Sequence, residues 1–142
     1  MLKALLLPAC VLLGLLGLGA ASLVLPQPFA TQPSPVTELY FANPNHLPGS
    51  VSPGHTATFE FSIHNLEQRT TSYNVRVSES ASGSITTLRQ ETVTLPTSST
   101  TTLQQTFTIA EPGQEVQIQV DLLNKRQSID FWSVAAGGSG VG

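Results

Sequence analysis

Past residue 35 the chain alternates polar and apolar side chains almost everywhere. Thr58-Phe59-Glu60-Phe61-Ser62-Ile63-His64 sets the pattern, and Tyr73-Asn74-Val75-Arg76-Val77 and Glu115-Val116-Gln117-Ile118-Gln119-Val120-Asp121-Leu122 repeat it. A period of two places successive side chains on opposite faces of an extended strand, so each stretch predicts a half-buried β-strand with its apolar set turned to a core. Weaker versions over 36–41, 85–95, 101–109 and 128–134 bring the count to seven. Turn chemistry separates them: Pro48-Gly49, Pro53-Gly54, Ser82-Gly83, Pro96 with its polar run, Pro112-Gly113 and Asn124-Lys125. Seven short strands with no helical stretch in about 100 residues predict an all-β, seven-stranded antiparallel sandwich of immunoglobulin or fibronectin type. Its expected core is Leu39, Phe41, Phe59, Phe61, Ile63, Tyr73, Val75, Val77, Leu88, Val93, Leu95, Leu103, Phe107, Ile109, Val116, Ile118, Val120, Leu122, Ile129 and Phe131.

The first 25 residues obey another pattern. After Met1, Leu2 and Lys3 an uncharged run of 22 residues extends from Ala4 to Leu25, where Pro26 ends it. As a helix it measures roughly 33 Å, enough to cross a hydrocarbon core of about 30 Å. This predicts one N-terminal transmembrane helix. Small residues at Gly19-Ala20-Ala21-Ser22 also suit a signal peptide cut after Ala21. The run outlasts the usual apolar region of such a signal, which favours the uncut anchor. Lys3 is cationic while 26–36 carries no charge, so the positive-inside rule puts the N-terminus in the cytoplasm and the remainder outside. PQPFATQPSP follows, with four prolines in ten residues, and reads as an extended stalk. From Ala135 the closing AAGGSGVG carries no strand pattern and reads as a loose tail. The expected organisation is therefore anchor or signal peptide over 1–25, stalk over 26–35, sandwich over 36–135 and tail over 136–142.

Charge and cysteine content narrow the function classes. Nine acidic residues face five basic ones beyond Lys3, and no Lys/Arg cluster occurs, which excludes the electrostatic footprint of a nucleic-acid binder. Cys10 is the only cysteine and lies in the apolar run, so no internal disulfide forms and the domain must be held by its own core. No Asn-x-Ser/Thr sequon is present.

Candidate chemistry is sparse. His46, His55 and His64 lack the short spacing that places two imidazoles on one metal. Asp121 and Asp130, the only aspartates, are too few for a calcium loop. The serines show no nucleophile elbow, and the scattered acids read as solubility. The hydroxyl run Thr97-Ser98-Ser99-Thr100-Thr101-Thr102 reads as a solvated hairpin tip, with an O-glycan acceptor as the alternative. Tyr40 and Trp132 are the candidate recognition aromatics, but Trp132, next to Phe131 at a strand end, is expected to pack by the core. No catalytic, cofactor-binding or metal residue is assigned, and no cofactor or small-molecule substrate is expected.

Thr37-Glu38-Leu39-Tyr40-Phe41, the Leu47-Pro48 and Val51 to Gly54 turns, Phe61-Ser62-Ile63-His64-Asn65-Leu66-Glu67 and Tyr73-Asn74-Val75-Arg76-Val77 together resemble the domain of unknown function 1616 family. The shared pattern is a TEFY-like first strand, a strand ending in an N-x-E turn and a following Y-x-V strand. The family comprises archaeal and bacterial membrane proteins, commonly with several spans before this domain, whereas one apolar run precedes it here. The resemblance implies an immunoglobulin-like extracytoplasmic sandwich on a membrane protein and supplies no catalytic residue. Repeats of bacterial surface adhesion proteins look broadly similar. The expected function is a membrane-anchored, non-enzymatic structural or protein-interaction module of the cell envelope, with membrane lipid as the expected partner of its helix and envelope or membrane proteins as the candidate partners of its domain. The alternative is a carbohydrate- or peptide-binding receptor using Tyr40, Trp132 and an exposed sheet edge.

Overall fold

A computed structural model describes residues 36–137. The apolar run, the stalk and residues 138–142 of the tail lie outside the described residues. Eight strands follow in order: β1 (Thr37–Phe41), β2 (Ser50–Val51), β3 (Thr56–Asn65), β4 (Thr71–Ala81), β5 (Ser84–Leu95), β6 (Thr100–Thr108), β7 (Glu115–Leu122) and β8 (Gln127–Ala135). They form a three-stranded sheet, β1-β3-β6, and a five-stranded sheet, β2-β8-β7-β4-β5. No α-helix occurs among the described residues, and one 3-10 turn spans Pro44–His46.

The core lies between the sheets because the alternation turns one apolar face of each inward. Phe59, Phe61 and Ile63 enter from the three-stranded sheet, and Tyr73, Val75, Val77, Val116, Ile118, Val120, Leu122 and Phe131 from the five-stranded one. Leu95, Phe107 and Ile109 are also buried, while Leu39, Phe41, Leu88, Val93, Leu103 and Ile129 pack half-buried against the rim. Phe131 joins the layers, its ring centroid 5.1 Å from Phe59, 5.5 Å from Phe41 and 6.0 Å from Phe107, all edge to face. Such pairs add roughly 0.5–1.5 kcal/mol each beyond the burial of their area. Ser82 and Gly83, at φ 49° and 82°, both take the left-handed region and close the β4–β5 hairpin in the twist its strands require.

Three expectations are corrected. The seven antiparallel strands become eight with one parallel pair, β2 beside β8, held by Val134 N–H to Gly49 C=O at 3.1 Å and Ala136 N–H to Val51 C=O at 2.8 Å. A strand of two residues has no alternation to read, so its sequence shows only the turns around it. Ala135, inside the sandwich bound of 36–135 but read with AAGGSGVG as unable to support a strand, is fully buried at the end of β8 and exchanges backbone bonds of 2.9 Å with Gly113 and Gln114. Its small side chain carries no hydrophobic signal, and its place is set by those bonds. Trp132 is the third correction, taken up below.

The registers set two poles. Thr37 opposite Asn65, Thr71 opposite Leu95 and Leu122 opposite Gln127 bring the start of β1 together with the β3–β4, β5–β6 and β7–β8 connections. The β4–β5 hairpin and the end of β8 lie at the other pole.

Candidate functional site

At the Thr37 pole the N-x-E turn becomes a buried polar knot. Asn65 is wholly buried, and its Nδ2 lies 2.9 Å from each of the carbonyls of Arg69, Leu95 and Pro96. Its Oδ1 accepts the Glu67 N–H at 3.0 Å, an Asx turn that aims the Glu67 side chain inward. Thr37 Oγ1 donates to Glu67 Oε1 at 3.1 Å, Thr71 Oγ1 to Oε2 at 3.3 Å, and Lys125 Nζ pairs with Oε1. Tyr73 OH lies 3.2 Å from Thr37 Oγ1, Lys125 Nζ sits 5.8 Å from the Tyr73 ring centroid, and Thr97 Oγ1 donates to the Glu67 carbonyl at 2.7 Å. A buried carboxylate is tolerable only when its oxygens are fully satisfied. Here the Lys125 hydrogen bond, with those of Thr37 and Thr71, outweighs desolvation and holds the Glu67 carboxyl below the usual glutamate range. Glu79, at the rim of the inner face, moves the other way because burial disfavours its charge.

The knot gathers residues from β1, the β3–β4 connection, β4 and the β7–β8 turn. Asn65, Glu67 and Tyr73 stand in the motifs of the resemblance, while Lys125, 58 residues from Glu67, had no signal linking it to them. Gln127 adds a further tie, its Nε2 donating to the Thr37 carbonyl at 2.8 Å across an open groove along β1 lined by Thr37–Tyr40 and residues 126–128.

The two recognition aromatics separate. Tyr40, 42% exposed, stands opposite Ser62 on the outer face of the three-stranded sheet. Trp132, 55% exposed, stands opposite Gln117 on the outer face of the five-stranded sheet. They cannot form one surface, and the expected core-side packing of Trp132 is corrected: consecutive strand residues face opposite ways, so burying Phe131 turns Trp132 to solvent.

The remaining candidates fall apart spatially or into local pairs. His46 ends the 3-10 turn, His55 Nδ1 lies 3.2 Å from the Pro53 carbonyl, and His64 Nδ1 lies 3.1 Å from Glu38 Oε2, its cross-strand neighbour. Among the described residues no three His, Cys, Asp or Glu side chains come together as a metal site. Asp121 is engaged by Arg76 Nη2 at 2.9 Å, and Asp130 by Gln117 Nε2 at 2.9 Å. The hydroxyl run divides: Thr97 to Ser99 make the connection, with Ser98 at φ 57°, and Thr100 to Thr102 begin β6. Ser62 Oγ and Thr102 Oγ1, 2.8 Å apart, tie β6 to β3.

Fold and pole together define a two-sheet β-sandwich domain whose polar residues converge on structure. The chain belongs to the DUF1616 family, a domain of unknown function, whose family model matches residues 31–130. No curated protein matches the chain. Among solved structures it is similar to a β-glucosidase from Listeria innocua in complex with glucose, at 16% identity and TM-score 0.60, over 73% of this chain and 16% of that one. It is also similar to the CARDB domain of a Pyrococcus furiosus protein in complex with di-metal ions, at 16% identity and TM-score 0.53, over 72% of this chain and 94% of that one. The DNA glycosylase AlkC of Pseudomonas fluorescens matches at 13% identity and TM-score 0.54, over 70% of this chain and 30% of that one. This chain thus aligns with about a sixth of the glucosidase's length, and at these identities the likeness is one of fold.

Proposed function

We propose that this protein is a membrane-anchored, extracytoplasmic module of the cell envelope, immunoglobulin- or fibronectin-like in fold, with a structural or protein-interaction role and no enzymatic activity of its own. The observation that carries the reading is the polar knot at the Thr37 pole. The groups most suited to chemistry there, Glu67, Lys125, Tyr73 and the hydroxyls of Thr37 and Thr71, are spent on one another. They pin the first strand after the proline-rich segment to three other elements. That is the arrangement expected where a domain must hold firm at its point of attachment. The 22-residue apolar run supports anchoring, with Lys3 supporting a cytoplasmic N-terminus. The test is fractionation of cells making the full chain: an anchored module stays in the membrane pellet after alkaline carbonate washing, and recovery in the cytosol rejects the proposal.

A second reading, a carbohydrate- or peptide-binding receptor, is favoured by the exposure of Trp132 alone, since Tyr40 faces away on the other sheet.

A further inference from the structure

Most of the outer face of the five-stranded sheet is polar, and Trp132 interrupts it. The indole is flanked along β8 by Asp130 and Val134, both exposed, and faces Gln117 across the β7–β8 ladder. Gln117 Nε2 donates to Asp130 Oδ2 at 2.9 Å, which fixes an amide and a carboxylate side by side next to the ring. Glu115 stands opposite Val134, and Gln119 opposite Asp130. On the other side of β8 no strand among the described residues pairs Trp132, because β2 reaches only Val134 and Ala135. The family match ends at Asp130, so Trp132 stands just past it.

An exposed aromatic ring beside fixed planar hydrogen-bonding groups is two-sided chemistry. A pyranose ring has the complementary surface: an apolar C–H face that covers indole and a rim of hydroxyls that reach amide and carboxylate oxygens. A protein partner fits less well, since the apolar part of the patch is one indole and one valine. Ile85, also exposed on this face, stands three strands away on β5 in the row Trp132, Gln117, Ser80, Ile85, so the apolar side chains are scattered rather than clustered as the anchors of a protein interface are. The charge nearest the ring is negative, from Asp130 and Glu115, which disfavours sugars bearing carboxylate or phosphate.

We propose that the outer face of β7 and β8 is a binding platform for a neutral polysaccharide, with Trp132 stacking on one pyranose ring and Gln117 and Asp130 binding its hydroxyls. The proposal deepens the receptor reading. Because it is tested on purified protein, it stands or falls independently of where the chain resides.

Trp132 is the only tryptophan, so its fluorescence reports this site without background. The full chain, kept in a zwitterionic detergent without a sugar headgroup, is titrated with cellohexaose, laminarihexaose, mannohexaose and polygalacturonate. The proposal expects a saturable blue shift and protection from acrylamide quenching with at least one neutral oligosaccharide, and none with polygalacturonate. In affinity electrophoresis against the matching polysaccharide, Trp132→Ala lowers retention about tenfold or more, Trp132→Phe keeps part of it, and Gln117→Ala lowers it about fivefold. No shift with any neutral oligosaccharide into the millimolar range overturns the proposal. So does a shift with polygalacturonate alone, or unchanged retention of Trp132→Ala. A blue shift produced by raising the protein concentration without sugar also overturns it, by assigning the face to a second copy of the chain.

Discussion

Thr37, the first residue of β1, donates its hydroxyl to Glu67 Oε1 at 3.1 Å across 30 residues of sequence. That bond ties the strand by which the chain joins the domain to the connection between the two sheets. It does so through a carboxylate that is buried and already paired with Lys125.

Stability should therefore depend on the charge of Glu67. Lys125 foremost, with Thr37 and Thr71, holds its carboxyl below the 4.5 of an ordinary glutamate. The folded state then binds this proton less readily than the unfolded state. The resulting stability is present above the ordinary value and lost as pH falls through the folded one. Thermal unfolding of Glu67→Gln is expected to show a loss of about 2 kcal/mol at neutral pH. The difference from the parent should shrink as the pH drops below 4.5, and a gap that stays constant with pH would contradict the assignment.

Asn65 gives a second test of the same knot. Asn65→Ala leaves the buried Leu95 carbonyl, the part-buried Arg69 and Pro96 carbonyls and the Glu67 amide without this partner, at a cost of about 2 kcal/mol in urea unfolding. Asn65→Asp should be worse at neutral pH, because a carboxylate then faces those carbonyl oxygens.

Neighbours on β8 should behave oppositely. Phe131→Ala opens a cavity where the two sheets meet, and a loss of about 3–5 kcal/mol is expected in the same assay. Trp132→Ala should change stability by no more than about 0.5 kcal/mol, as for an exposed position outside any network.

The β4–β5 hairpin tests the backbone. Gly83 sits at φ 82° with open space around its Cα, so Gly83→Ala meets no clash and costs only the left-handed conformation, about 1 kcal/mol by thermal unfolding.

Much of this fold was legible in the alternation itself. Phe59, Phe61 and Ile63, or Val116, Ile118 and Val120, fall on one face by period alone, and all are buried. The same rule, applied strictly to Phe131 and Trp132, already forbids both from facing the core. What could not be read were relations without a local period. β2 is two residues long and paired in parallel. Ala135 is buried by backbone pairing rather than by its side chain. The N-x-E turn was visible in the chain, but the partner that neutralises Glu67 comes from the β7–β8 turn, and only the sheet order brings it there.

The central claim, a domain held outside the cell by its N-terminal run, is tested most directly by site-specific labelling. With Cys10→Ser removing the native thiol and Ser84→Cys placing one at an exposed position, intact cells are treated with a membrane-impermeant maleimide. The account predicts labelling of a full-length protein that stays with the membrane pellet after carbonate extraction. Labelling only after lysis, or a labelled protein shortened at Ala21 and released in soluble form, would contradict it.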